Sequence, residues 1–246
     1  MGEHHFLLVE LMNKIFGKLV LLFYSLLNIK PENPAEPIPP HIVFAFIVVL
    51  ILIVFMKLIA RKPALIPTPL QSFGEFIYTM FEGLVVDIIG EKGKKFVPMI
   101  GTIGLFIFFS NLAGLFPGFE SPTSNLNVTA GAAVFVFLYY NFQGIKEHGI
   151  LKYIRHFAGP YLWLAPLFFP IEIISHLSRP LSLSVRLFGN IMGEDMVILI
   201  LAALVPFIAP VPMMALAIFT SFVQAMVFTM LSVIYIAGAV AAEEGH

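Results

Sequence analysis

The chain contains no cysteine and carries few charged residues for its length. Without cysteine it can form no disulfide, no thiolate metal site and no cysteine nucleophile. Charged residues make up 12% of its 246 residues and hydrophobic residues 59%, whereas a soluble domain carries about 25% charged residues. A soluble protein of this composition would have too little polar surface to present to water, so the composition argues against that class.

The few charges are confined to short segments separated by long uncharged runs. A helix needs about 20 mostly apolar residues to cross the hydrocarbon core, and in lipid its backbone amides must pair within the segment. We therefore predict an all-α polytopic membrane protein with about five membrane helices plus surface helices. The uncharged runs are Ile42–Met56, Phe96–Phe119, Ser121–Ile145 and Met196–Ala242.

Three regions are expected along the chain. Residues 1–40 are predicted to hold an interfacial helix with a stripe of Glu10, Lys14 and Lys18, followed by a proline-rich linker. Residues 41–160 are predicted to hold the peripheral membrane helices and a surface helix. Their spans are expected at 41–60, 96–116 and 128–145, and the surface helix at 70–90, with a polar loop at Gly118–Thr129. Residues 161–246 are predicted to form a long hairpin with its turn at Pro206, Pro210 and Pro212.

Basic residues indicate the orientation of the chain in the membrane. Nine of the 14 Lys and Arg residues lie in the loops at 57–62, 91–95 and 146–155, and none lies at 117–129 or 205–212. The positive-inside rule places the first set in the cytoplasm. The N-terminus is therefore expected outside and the C-terminus in the cytoplasm.

The first helix of the hairpin is too long for an ordinary span. A helix from Tyr161 to Val205 would be roughly 68 Å long, and the hydrocarbon core is about 30 Å thick. The helix must be steeply tilted or broken, and Pro166, Pro170 and Pro180 are candidate bends. Two long, slanted and partly polar helices suit a surface that wraps a neighbouring protein.

Six polar residues recur along this helix at spacings of 4, 3, 7, 4 and 4, and fall within an arc of about 80°. Asp195 lies outside that arc, roughly 100° around the helix from Glu194. A charge at mid-membrane costs about 2.5 to 17 kcal/mol, so the stripe implies water or a partner's charge. Internal ion pairs and a proton relay through Glu172 and His176 are both compatible with the pattern. The six are Glu172, His176, Arg179, Arg186, Asn190 and Glu194.

Arg186 differs from the other members of the stripe. Residues Leu183, Ser182, Gly189 and Asn190 occupy its i±3 and i±4 positions, so no acid lies one turn away. A guanidinium is always protonated, and Arg186 therefore needs a negative partner from outside this helix. On the last helix, Gln224 is either a helix–helix contact or a hydrogen-bonding group near the same site. The remaining polar residues are mostly interpreted as loop caps and interfacial anchors: Asn111, Asn125, Asn127, Tyr140, Asn141 and Gln143.

The string SRPLSLSVRLFGNIMGED (Ser178–Asp195) resembles the signature of subunit a of F-type ATP synthases. FTSFVQAMVF (Phe219–Phe228) and SNLAGLFPGF (Ser110–Phe119) support the resemblance, which extends from about residue 40 onward. The family implies a membrane stator beside a rotating ring of c subunits, each with one carboxylate. Proton flow through two half-channels turns the ring, and ATP is made in the soluble head, so this subunit is not itself an enzyme.

The resemblance also implies roles for individual residues. Arg186 matches the family's essential arginine, Glu172 its half-channel carboxylate, Asn190 the asparagine one turn later and Gln224 the glutamine on the facing helix. Counting without a gap, the channel acid falls on Asp195, with Glu194 as the rival. Ala217 stands where many bacterial members have a polar residue or histidine.

The partners implied are the c-ring, the b subunits of the peripheral stalk, the other ATP synthase subunits and the lipid of a bacterial inner membrane. No cofactor, metal or nucleic acid is expected. Both H⁺ and Na⁺ stay open as the coupling ion, as do the ring stoichiometry and the preferred direction.

Two other classes compete with this interpretation. A stand-alone transporter with Arg186 binding an anion would predict repeated halves, and no repeat is evident. An intramembrane enzyme would use Glu172 and His176, whose i, i+4 spacing suits a metal, yet no further ligand completes a motif.

Overall fold

A computed structural model describes residues 7–26, 33, 36–60, 67–116, 119–150, 152–153, 165–206 and 208–240. Within these ranges the secondary structure is helical and no strand is present. The α-helices are α1 (Leu7–Leu26), α2 (Pro40–Ala60), α3 (Pro69–Ile89), α4 (Val97–Ala113), α5 (Leu126–His148), α6 (Ala165–Leu204) and α7 (Pro210–Val240). The predicted all-α fold is confirmed.

Short polar residues and glycines set several helix ends. Thr68 caps α3, because its hydroxyl accepts a hydrogen bond from the Gln71 N–H at 3.3 Å. Gly90, at φ 85°, ends α3 and leads into a 3₁₀ helix over Glu91–Phe96 that feeds directly into α4. Asn125 caps α5 by accepting from the Asn127 N–H at 2.9 Å.

Among the described residues, five stretches are long and apolar enough to cross a membrane, as the sequence predicts. They are Pro40–Ala60, Glu91–Ala113, Leu126–His148, Phe168–Leu204 and Pro210–Val240. Helices α1 and α3 are not among them. The number of membrane helices is confirmed, and the surface location of α1 and α3 stays a prediction.

Helix α7 lies at the centre of the bundle, packed against α3, α4, α5 and α6. Its Phe228, Val233 and Ile236 are fully buried. Small residues let neighbouring backbones approach it. A Cβ added to Gly104 of α4 would lie 2.8 Å from the Thr229 hydroxyl oxygen, and one added to Gly144 of α5 would lie 2.9 Å from the Ala239 carbonyl oxygen.

Helices α6 and α7 form the predicted hairpin. Helix α6 has 40 residues and continues through Pro170 and Pro180 without a break. The sequence left open a tilted helix or a broken helix, and the described residues form an unbroken one. At 1.5 Å per residue it is about 60 Å long, roughly twice the hydrocarbon thickness. Helix α7 begins at Pro210, within the predicted turn. The division into three regions stays a prediction.

Candidate functional site

Helix α6 has one face against the bundle and one face open. Leu183, Leu187 and Ile191 are buried to 2% exposure or less and pack in the main core. Arg186 and Asn190 are exposed. The predicted polar stripe therefore straddles the boundary between the two faces, because His176 is buried at 8% exposure while Arg186, at the other edge of the arc, points outward.

Arg186 stands in an open band of small residues. Ser178, Ser182, Gly189 and Gly193 recur with it on the exposed face at helical spacing. A Cβ added to Gly189 or Gly193 would meet no atom within 4 Å. Arg186 has no ion pair or hydrogen bond with any residue in the described part of the chain. Its permanent charge is thus left uncompensated on a surface that another helix could approach closely.

Asn190 and Gln224 join α6 to α7 beside Arg186. The Asn190 side-chain amide donates a hydrogen bond to the Gln224 carbonyl oxygen at 2.9 Å. Gln224 is buried at 6% exposure. The hydrogen bond agrees with both interpretations of Gln224. Its side chain connects α7 to α6, and its partner Asn190 lies one helical turn from Arg186.

A second polar group lies near the start of α6. The Glu172 carboxylate is 3.4 Å from His176 Nε2, and the other ring nitrogen of His176 lies 3.2 Å from the Tyr140 hydroxyl. The Arg179 guanidinium sits 5.3 Å above the Tyr235 ring of α7. Glu172 and His176 therefore do meet, and Arg179 lies beside Tyr140 in the same group.

Tyr140 was missed as a member of this group. Its interpretation as an interfacial anchor is wrong, because it is only 1% exposed and contacts His176. Helical periodicity could have predicted that Tyr140 is buried. Ala133, Val136, Tyr140 and Gly144 lie at spacings of 3, 4 and 4, and all are buried. Beyond the end of α5, the Tyr153 hydroxyl donates to the Asn141 side chain at 2.8 Å. Burial raises the pKa of Tyr153 to about 12, so it stays a donor.

The two rival acids near the end of α6 have different neighbours. Asp195 faces the end of α4, where its carboxylate oxygen lies 3.4 Å from the position of a Cβ on Gly114. Glu194 instead lies beside Thr220 of α7. Ala217, one turn before Thr220, is buried at 2% exposure and offers no polar group.

The loop beside Asp195 is more buried than a surface loop. Ser121 and Thr123 are each 1% exposed, although they lie in the predicted polar loop at 118–129. Their burial is possible because the hydroxyls are paired. Ser121 donates to the Ser110 carbonyl at 3.0 Å and lies 2.8 Å from Thr123, which donates to Asn111 at 2.6 Å. Asn111 is thus part of a buried network.

Among the described residues, His and carboxylate side chains form no group of three that could hold a metal ion. The charged and polar side chains instead lie at three levels along α6. An acid–imidazole pair lies near its start, an arginine without a partner in the described residues lies in its middle, and two acids lie towards its end.

Fold and site together define a multi-pass all-α membrane protein whose longest described helix presents Arg186 on an open face, with no ion pair to another described residue. Sequence comparisons then identify the family. The ATP synthase A chain family matches residues 42–237, and the chain belongs to this family.

Individual relatives agree over most of their length. ATP synthase subunit a of Geobacter sulfurreducens is 46% identical over 228 residues, covering 93% of this chain and 98% of the relative. ATP synthase subunit a 1 of Pelobacter propionicus is 45% identical over 218 residues, covering 89% and 94%. ATP synthase subunit a of Sulfurihydrogenibium sp. is 46% identical over 200 residues, covering 81% and 96%.

Proposed function

We propose that this chain is the proton-translocating stator subunit in the membrane part of an ATP synthase. It stands beside the c-ring, is held by the b subunits of the peripheral stalk, and itself makes no ATP. It lies in a bacterial inner membrane with its N-terminus outside and its C-terminus in the cytoplasm. The observation that carries the proposal is Arg186, exposed at the middle of α6 with no negative partner in the described residues.

The open face of α6 supports contact with a ring of helices. A lone guanidinium facing lipid would be costly, and a carboxylate presented by a neighbouring helix removes that cost. The small residues around Arg186 allow the neighbour to approach. At 4 Å the attraction between the two charges is about 4 kcal/mol at an effective dielectric of 20. That is enough to favour the ionised form of the arriving carboxylate.

The spacing of the acids along α6 supports two separate half-channels. Glu172 and His176 lie 14 and 10 residues before Arg186, whereas Asp195 lies 9 residues after it. At 1.5 Å per residue, Glu172 and Asp195 are roughly 34 Å apart along the axis. One group then serves the cytoplasmic side and the other the outer side, with Asp195 preferred over Glu194 as the outer acid.

In this arrangement a proton enters from one side, neutralises a ring carboxylate and travels with the turning ring. Near Arg186 the carboxylate returns to its ionised form, and the proton leaves through the other half-channel. Arg186 bars direct leakage because it is always protonated and cannot relay a proton. Asn190 and Gln224 hold α6 and α7 together beside it. Each elementary charge crossing 100 mV releases about 2.3 kcal/mol for rotation.

Replacing Arg186 tests the proposal. We expect Arg186→Ala to abolish proton-driven ATP synthesis in inverted membrane vesicles while the complex still assembles with its ring. Arg186→Lys keeps the charge but loses the planar fork and should restore little activity. Arg179→Ala is the matched control, since Arg179 rests on Tyr235, and it should retain most of the synthesis. Normal coupled synthesis in assembled Arg186→Ala complexes would refute the role.

A further inference from the structure

Helix α1 presents three different faces, each within an arc of about 80° at 100° per residue. One face carries Glu10, Lys14 and Lys18, all exposed. A second face points into the protein. The third is an apolar stripe along the whole helix, with exposures from 42% to 80%: Leu8, Leu11, Ile15, Leu19, Leu22 and Leu26.

The inward face ties α1 to the start of α2. The Asn13 side chain accepts a hydrogen bond from the Ile38 N–H at 2.9 Å and donates one to the Ile38 carbonyl at 3.0 Å. Val9, at 3% exposure, packs in a small core with Val43 and Phe44 of α2. These two hydrogen bonds fix the position of α1 relative to the segment around Ile38, which leads into α2.

The same contact sets the depth of α1. Helix α2 has 21 residues and is about 31 Å long, which matches the hydrocarbon thickness. Its first residue, Pro40, therefore lies at the boundary of the hydrocarbon. Because Asn13 is bonded to Ile38, two residues earlier, the middle of α1 lies at the level of the headgroups.

We propose that α1 lies in the membrane surface and binds anionic phospholipids. Its apolar stripe enters the acyl region by about 5–10 Å, as in other amphipathic interfacial helices. Lys14 and Lys18, which have no ion pair with any described residue, contact the negative headgroups. A membrane-crossing position is disfavoured because three charges would stand in the hydrocarbon. Lipid is favoured over a protein partner because the lysines border the stripe at the depth of the headgroups.

Site-directed spin labelling tests this inference, and the absence of cysteine makes each label unique within this chain. The protein, purified with its bound partners, is placed in vesicles of phosphatidylethanolamine and phosphatidylglycerol. A nitroxide at Ile15→Cys is expected to collide mainly with oxygen, which concentrates in lipid. A nitroxide at Lys14→Cys, the matched control on the charged face, is expected to collide mainly with a water-soluble nickel chelate.

Two other results for the Ile15 label would overturn the proposal. Ready collision with the nickel chelate would place the stripe in water. Immobilisation with little access to either reagent would mean that a protein partner covers it. These outcomes are independent of Arg186 and so do not depend on the proposed function.

The role of the lysines is tested with a label at Leu22→Cys, which leaves both in place. Adding Lys14→Gln and Lys18→Gln should reduce the preference of this label for oxygen in vesicles with phosphatidylglycerol. The preference should change little in vesicles of zwitterionic lipid alone. An equal effect in both lipids would exclude recognition of anionic headgroups.

Discussion

Helices α6 and α7 are neighbours in one hairpin, yet the protein covers them very differently. In the most apolar stretch of each helix, 11% of α6 residues are buried and 44% of α7 residues. The helix with the polar stripe is thus the less covered one. Helix α7 buries Phe228, Val233 and Ile236 at the centre of the bundle, whereas α6 turns Arg186 outward.

The difference in burial corresponds to two roles of a membrane helix. Helix α7 supplies packing, and its small polar residues, such as Thr229 and Ser232, bond to their own backbone at 2.6 and 2.8 Å. Helix α6 supplies a surface. A charged residue on an uncovered membrane helix is costly, which is why we propose a partner for α6 and not for α7.

The largest expected loss of coupled activity comes from placing bulk on the open face. Gly189 of α6 and Gly238 of α7 both have open space around their Cβ positions. Gly189→Leu should cause a 10- to 100-fold loss of coupled ATP synthesis, as about 1–3 kcal/mol of overpacking against a close partner implies. Gly238→Leu should have little effect. Equal activity of the two variants would contradict the asymmetry.

For substitutions that remove buried volume, the larger effect should be in α7 and the smaller one in α6. Ile236 of α7 is fully buried, and Ile174 of α6 is 67% exposed. Ile236→Ala should lower the free energy of unfolding by about 2–5 kcal/mol because it leaves a cavity. Ile174→Ala should change it by less than about 0.5 kcal/mol. Unfolding of the detergent-solubilised protein by SDS measures both, and a larger loss for Ile174→Ala would reverse the comparison.

The contacts that hold α6 should matter at an intermediate level. Tyr140→Phe removes the hydroxyl that lies 3.2 Å from His176, and should cost about 1 kcal/mol. The adjacent Tyr139 is half-buried and its hydroxyl makes no hydrogen bond in the described structure. Tyr139→Phe is therefore the control, expected to be near neutral in the same unfolding assay. Identical losses would mean that the hydroxyl contact contributes nothing.

The smallest effect is expected for the hydrogen bond between the two helices. A double-mutant cycle with Asn190→Ala and Gln224→Ala should give a coupling energy of about 0.6 kcal/mol, typical of hydrogen bonds in membranes. The control cycle pairs Asn190→Ala with Thr220→Ala, whose hydroxyl bonds to its own helix at 3.1 Å. That cycle should give no coupling. Coupling of equal size in both cycles would argue against a specific Asn190–Gln224 contact.

The uncharged runs predicted the membrane helices well because each run lies within a single helix. Uncharged runs require helices in lipid whatever their neighbours are. The buried role of Tyr140 was harder to find, since a tyrosine in a span serves equally as an interfacial anchor. The burial of Ser121 and Thr123 was not predicted, for a related reason. Hydroxyls can be buried when partners meet them, and their partners, Ser110 and Asn111, are about ten residues away in the chain.

By itself, the sequence determined the class of protein, the five spans, the hairpin turn and an arginine, Arg186, with no acid one turn away on its own helix. Each depends on composition or on spacing within one helix, where geometry is known in advance. Only the tertiary structure decided which side of α6 is covered, that Asp195 and Glu194 face different neighbours, and that Asn13 binds α1 to Ile38. Those features depend on how helices distant in the chain pack together, and packing is set by many weak contacts that no local pattern records.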